Sequence, residues 1–600
     1  MKKVILLSLL IIISLETLSA QILLKTVSLE KQIEKSSLVV EGQVVAKQSF
    51  WDANHEKIYT VNTIEVFKVF KGGVKSYVDV ITLGGVLDTE AQVVSPSLDL
   101  NVNDVGVFTL YDDNLKLGTA SPSNNAKFLP YGVTQAFYKY DYNNDLASNQ
   151  FNVKQGIQSV LYKDIESRTK SEYIEVAPFS IQNKLLKANA AKLFDVDNFF
   201  PTTISAGTKS ILTISGSDFG SIKGKVGFRN ADNAGDNYVD ALDSQVLTWT
   251  DILITVEVPS QAGTGQVRIT HNDGSSFETA NVLTINYAQN NIVSNNIAYP
   301  SQLVDDNGSG GYTWQLSAHL AQTNGVADAF KLALETWSCE TKMNWELDEV
   351  NVVANLNAIH KAVNDNKNVI AFDNSSSSNP DEVLPDLVLG QRTSYYVSCS
   401  EPINGVPSLV WYVKEFDIVF DGDTNWNFSV DPPSAVQYDF QSVALHELGH
   451  CRQLDHVIDT NDLMHFDIAQ EEVLRNLNNS NVLASQIVQD ISVNQPICSQ
   501  SGLENYAISC STLGVAEDVL SAGIKMYPNP TNGDLFISHD GAIILDKIVV
   551  YDVSGRLISQ NTKPNSSSLK TISLKNASKG MYFVDIHSGN AVLTKKLIIN

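Results

Sequence analysis

His446, Glu447 and His450, in the run Gln441-Ser442-Val443-Ala444-Leu445-His446-Glu447-Leu448-Gly449-His450, are the residues of this 600-residue chain whose types and spacing best suit chemistry. The run holds no proline and is apolar on one side, which predicts a helix through about Cys451. Residues four apart share a helix face, so both imidazoles can give a nitrogen to one Zn²⁺ at about 2.0–2.1 Å. Glu447 is offset by one position. That makes it a poor third ligand but lets it reach a water at the metal, the place of a general base. A catalytic zinc needs three protein ligands and an open fourth position. His456 lies six residues after His450, past the expected helix end, where a sharp turn brings its ring back to the ion. The chemistry expected of this set is peptide-bond hydrolysis by a zinc-activated water, with Glu447 taking the proton and delivering it to the leaving amine, and no covalent intermediate.

Other residues offer less. Asp421-Gly422-Asp423-Thr424-Asn425 carries oxygens suited to Ca²⁺, but lacks the bidentate glutamate of an EF-hand loop and reads first as a strand-exit turn. His319 and His360 have no metal-ligand spacing. His465 is expected to face solvent, and Tyr395 and Tyr396 to pack in a core or across strands.

Several modules must carry this site, because 600 residues exceed what one hydrophobic core organises. The apolar and charged fractions, 43% and 18%, fit folded domains rather than disorder. A formal charge of −25 speaks against nucleic acid as a partner, since phosphate binding needs clustered Lys and Arg. Residues 1–20 carry Lys2 and Lys3, an apolar run from Val4 to Leu15 and a small-residue site before Gln21, the pattern of a secretory signal peptide. No later apolar run is long enough to span a bilayer, so no stable membrane insertion of the mature chain is expected, and it is taken as a monomer. Export permits disulfides. Cys498 with Cys510 and Cys339 with Cys399 are the expected pairs, leaving Cys451 odd.

Residues 21–150 form an N-terminal β domain with strands near 39–45, 59–70 and 78–83, closing as a small barrel or sandwich. Residues 151–195 read as a helical or extended connector and 196–288 return to β pattern. Between 291 and 515 the chain turns α/β, with a helix over 325–338, strands at 368–372 and 416–420, and a loop at 375–380. Residues 524–600 are β again. The fold class is thus multidomain, an α/β catalytic domain flanked by β-barrel and β-sandwich modules.

Three stretches resemble known families. Phe200-Pro201-Thr202-Thr203, Leu212 to Gly220, and Val258-Pro259 with Ala262-Gly263-Thr264-Gly265 resemble the IPT/TIG immunoglobulin-like family, which implies a spacer or adhesion module. Tyr527-Pro528-Asn529-Pro530, Val553-Ser554-Gly555-Arg556, Gly580-Met581-Tyr582 and the closing Lys-Lys-Leu resemble the type A C-terminal sorting domain of the type IX secretion system. That resemblance implies an address read by the type IX secretion machinery and a product outside the cell, released or held at the outer-membrane surface. The HExxHxxxxxH string, with Met464 eight residues beyond His456, resembles the metzincin signature and the Met-turn of the matrixins. It implies a zinc endopeptidase acting on protein or peptide substrates, with Met464 as a structural Met-turn residue.

Two positions depart from the metzincin pattern. The glycine usual three residues after the second histidine is Gln453, which predicts a differently shaped or strained turn, and Phe466 stands where astacin-like members place a tyrosine. No cysteine precedes Cys339, so no thiolate from the N-terminal half can cap the zinc as in many matrixins; an inhibitory segment within 21–290 would have to use a carboxylate. The competing reading is a secreted adhesion or glycan-binding protein with a degenerate peptidase domain, toward which Gln453 leans.

Overall fold

The computed structural model describes residues 26–506 and 524–600, apart from 116, 118–119, 189–194, 354–357, 386–387, 540–544, 546, 553–555, 563–568, 576 and 589–590. The expected signal peptide lies outside the described residues. No described helix is long and apolar enough to cross a membrane.

The N-terminal module is built from β1 (Leu38–Trp51), β2 (Ile58–Lys71), β3 (Tyr77–Leu83), β4 (Glu90–Ser95), β5 (Val105–Asp112) and β6 (Lys127–Pro130). β1 pairs with both β2 and β5, and β3 and β6 complete the circuit, so five strands close into a barrel. Closure buries Val40, Val44, Ile64, Val66, Val80 and Phe108, the inward set of each alternating strand. β4 stays out of this barrel. The connector reading of 151–195 resolves, where described, into short helices at Lys163–Thr169 and Ile181–Ala188, packed on the barrel through Ile165 and Ile181.

Residues 195–289 form two four-stranded sheets around one core, with Leu212, Ile214 and Ile254 from one facing Val226, Phe228 and Ile269 from the other. Its last strand, β7 (Thr284–Gln289), runs parallel to Thr203–Ala206.

The next segment contributes β8 (Tyr312–Leu316), α1 (Val326–Thr341), β9 (Trp345–Asp348), β10 (Asn368–Phe372), β11 (Gly390–Ile403), β12 (Val406–Phe420), α2 (Phe440–Cys451), β13 (Leu454–Asp455) and α3 (Asn479–Ser492). The sheet order is β9-β8-β10-β12-β11, parallel except for β11, which is antiparallel to β12. Beyond β11 the sheet continues into β4 of the N-terminal module, antiparallel from Arg392 opposite Ser95 to Val397 opposite Glu90. Ala91 of β4 is buried in the same core as Trp314, Trp337, Phe416 and Leu448. β13 pairs with β7, Ala288 opposite Asp455 and Gln289 opposite Leu454. The α/β segment is therefore stitched by strand pairing to both modules that precede it.

Cys399 is bonded to Cys498, which overturns both expected pairings. Connectivity follows from where β11 and the segment after α3 meet, which spacing does not encode. Cys339 is also disulfide-bonded, and Cys451 is free and buried, as the odd count implied.

The unit beginning after Tyr506 is separate. Its described strands form two antiparallel sheets sharing one core that includes Leu535, Ile537, Ile548, Val584 and Leu597.

Candidate metal centre

α2 is an interior helix, with all twelve residues buried. Asp439 caps it, its carboxylate accepting from the Ser442 N–H at 3.1 Å and held by the Arg475 guanidinium. Gly449 costs helix propensity, about 1 kcal/mol relative to alanine, but a Cβ there would stand 2.4 Å from the Met464 sulfur. The glycine thus lets the methionine pack directly beneath the histidine-bearing face.

His446 Nδ1 lies 2.7 Å from the Leu463 carbonyl and His450 Nδ1 3.0 Å from the Leu454 carbonyl. Carbonyls only accept, so each Nδ1 carries the proton and each Nε2 presents a lone pair. His456 Nδ1 lies 2.7 Å from a carboxylate oxygen of Asp232, which fixes the same tautomer. Ligand atoms of His446, His450 and His456 all lie within 4.8 Å of one another. The sequence-predicted trio is thus brought together.

This arrangement fits a cation. The Nε2 atoms of His446 and His450 are 3.0 Å apart, two lone pairs facing each other in a buried site, and an electrophile between them is what relieves that repulsion. Zinc bound tetrahedrally at about 2.0–2.1 Å places its nitrogens roughly 3.3–3.4 Å apart. Burial pushes His446 down to about 3 and His450 well below the usual imidazole range, so both are neutral donors. At His456 burial works the same way, but the carboxylates of Asp232, Asp455 and Glu447 together outweigh it and the net shift is upward.

Glu447 is buried beside the rings, and its Oε2 has no hydrogen-bond partner. Burial pushes its carboxyl up to about 8, against the pull of the Arg392 guanidinium. Gly390 of β11 faces it, where a Cβ would come within 3.2 Å of Oε1. One carboxylate oxygen is therefore unspent, on the helix that carries His446 and His450.

The chain leaves α2 through Gln453, whose φ of 65° is the left-handed conformation glycine favours. The side chain compensates. Its amide oxygen accepts from Ser301 Oγ at 2.7 Å and Tyr396 Oη at 2.9 Å, and its nitrogen donates to the Cys451 carbonyl. The turn therefore keeps its direction with a strained residue locked in place. Met464 is buried below the site, its carbonyl accepting from the Val457 N–H. Phe466 lies 6.4 Å from the His456 ring.

Several expectations change. His465 is buried, not solvent-facing, with Nδ1 3.2 Å from the Val457 carbonyl. The carboxylate of Asp421 is bonded within its own turn, accepting from the Asp423 N–H and the Thr424 hydroxyl, and that of Asp423 accepts from Ser375, the pattern of a strand-exit turn; no cluster of three carboxylates is found there among the described residues. The IPT/TIG-like stretch supplies Asp232, the carboxylate that meets His456 Nδ1. Among the described residues of 26–290, the group found in hydrogen-bond contact with the His450 Nε2 lone pair is not a carboxylate but the Ser95 hydroxyl, at 3.3 Å. A cleft of about 860 Å³ is lined jointly by Ser95 and Pro96, by Asp232, and by Arg392, His450 and His456. Ser95, Asp232 and the buried Arg392, whose guanidinium donates to the Val93 carbonyl at 3.3 Å, are the participants that sequence reasoning missed. No local motif marks any of them.

The comparisons agree with the three resemblances. Residues 410–487 match the Matrixin family model, 195–285 the IPT/TIG domain and 525–600 the secretion system C-terminal sorting domain. No curated protein matches the chain. Among solved structures, a tetra-tandem repeat from the extending region of a large adhesion protein aligns over 94% of this chain and 92% of its own, at 9% identity and a TM-score of 0.12, too low to carry any argument.

Proposed function

We propose that this protein is an exported, zinc-dependent endopeptidase with a metzincin-like α/β catalytic segment. In this reading His446, His450 and His456 hold the metal, Glu447 is the base, and Met464 is the Met-turn residue. The observation that carries it is the convergence of three imidazoles, each with Nδ1 tied to an acceptor, with a buried glutamate on the same helix whose Oε2 has no partner. Bound zinc would supply Lewis acidity, polarising a scissile carbonyl and making water acidic enough to ionise near neutral pH. Glu447 Oε2 takes the water's proton and returns it to the leaving amine. Gly390 leaves room for that carboxylate to move, and the apolar packing of Met464 and Trp337 against Gly449 keeps the helix that bears the rings rigid.

An extended peptide binds to a sheet by adding a strand to its edge. β4 takes that place on β11 and brings the Ser95 hydroxyl to the rings, so the chain as folded is read as latent, opening when β4 leaves. The C-terminal match supports export by the type IX machinery. The adhesion reading loses its main support, because Gln453 adopts the backbone conformation expected of the missing glycine. Digestion of casein by the purified protein, before and after nicking of the N-terminal module, tests the proposal. Activity abolished by chelator, restored by zinc and absent in Glu447→Ala is expected; digestion that survives both treatments would refute it.

A further inference from the structure

From the geometry around His456 we infer that the immunoglobulin-like module is a working part of the metal centre, with Asp232 as the positioning carboxylate of the third ligand. The inference rests on the zinc reading given above and adds a residue from outside the matched Matrixin segment.

His456 is unlike the other two rings. Leu463 and Leu454, whose carbonyls fix His446 and His450, lie within 20 residues of them in sequence. The acceptor for His456 Nδ1 is a charged group 224 residues away, at 2.7 Å. Asp232 is itself held. It sits in a short turn, Ala231–Asn233, whose N-cap Asn230 accepts the Asp232 N–H at 3.0 Å. The segment around His456 is gripped by the same module at three successive points. β13 pairs with β7 just before it, Asp232 holds the ring, and Ile458 just after it packs so tightly that a Cβ at Gly263 would come within 2.5 Å. The neighbouring Asp455 takes the backbone N–H of His456 at 2.9 Å, which anchors the main chain and leaves the ring to Asp232.

His456 follows the turn that Gln453 has to force, so it has no helix to aim its ring. A charged acceptor on Nδ1 fixes both the tautomer and the plane of the imidazole, leaving Nε2 pointed at the metal. Carboxylate partners of this kind typically contribute about 10–100-fold to metal affinity.

The test uses the full chain. Zinc affinity is measured by competition with a chromophoric chelator, and cobalt substitution reports ligand geometry through its visible spectrum. Wild type, His450→Ala, Asp232→Ala, Asp232→Asn and, as a control on the same module, Asp243→Ala are compared. Asp232→Ala is expected to weaken zinc about 10–100-fold and alter the cobalt spectrum, with the metal-free melting temperature near that of wild type. Asp232→Asn, which keeps an oxygen acceptor without the charge, falls between the two, and Asp243→Ala matches wild type. Zinc affinity within twofold of wild type in Asp232→Ala overturns the inference while leaving the metal site standing. Wild type binding no tighter than His450→Ala overturns the zinc reading itself, and this inference with it. If Asp232→Ala does not fold, the Asn variant decides: full wild-type affinity and spectrum there count against a charged positioning role.

Discussion

Replacing Gln453 by the glycine its family pattern would place there should destabilise the protein. Glycine removes the left-handed strain at φ 65°, worth about 1–2 kcal/mol for a residue with a Cβ, and part of that gain is returned as extra freedom of the unfolded chain. Against it stand two buried hydroxyls, Ser301 and Tyr396, which both donate to the amide oxygen that would vanish. An orphaned buried donor costs about 1–3 kcal/mol, and the empty side-chain volume adds to the loss. The net expectation is a loss of roughly 1–4 kcal/mol, or about 3–12 °C in the melting of a domain of this size. Calorimetry on the metal-free protein reads it, with Gln453→Ala as the internal check. Alanine keeps the strain and loses the same bonds, so it should melt below glycine by about 1 kcal/mol of stability. A glycine variant as stable as wild type or more so would refute the claim that the side chain, not the backbone, secures this turn.

Glu447→Gln should lower peptide hydrolysis by about 10²–10⁴-fold while the zinc content by atomic absorption stays that of wild type; loss of metal instead would make Glu447 a ligand. Val94→Pro, in the strand that covers β11, should raise kcat/KM on casein up to about tenfold by populating the open cleft, and unchanged activity would argue that β4 does not block substrate. Burial pushes Glu415 up to about 8 from an ordinary 4.5, and Asp417 also upward, two buried carboxyls two residues apart on one face of β12. The folded state then holds protons that the unfolded chain has released, so stability is expected to fall as pH rises from about 4.5 to about 8. Urea midpoints across that range should show the slope, and Glu415→Gln should flatten it; an equal slope in the variant would assign it elsewhere.

The site was legible where its logic is local. A four-residue spacing on an apolar helix predicts His446 and His450 side by side, and the fold places them so because α2 is interior along its whole length. Gln453 was legible as an anomaly but not as a solution, since Ser301 and Tyr396 are 152 and 57 residues away. Asp232 and Ser95 left no trace for the same reason, lying 224 and 355 residues from the rings they touch. The N-terminal strands at 39–45, 59–70 and 78–83 were visible from alternation, and all three are found. That the fourth strand, β4, deserts its own barrel for another sheet depends on an edge being free elsewhere, which periodicity cannot register. Cysteine pairing and the burial of His465 failed alike, both being set by long-range contact.

The seam between β7 and β13 has a consequence for how this molecule could be taken apart. A fragment beginning after residue 290 would leave the main chain at Leu454 and Asp455 with a raw, unpaired border beside the ring it must aim. What composition suggests is a dividing line between two beads is thus a weld, and the smallest piece that keeps the centre whole must include the bead before it.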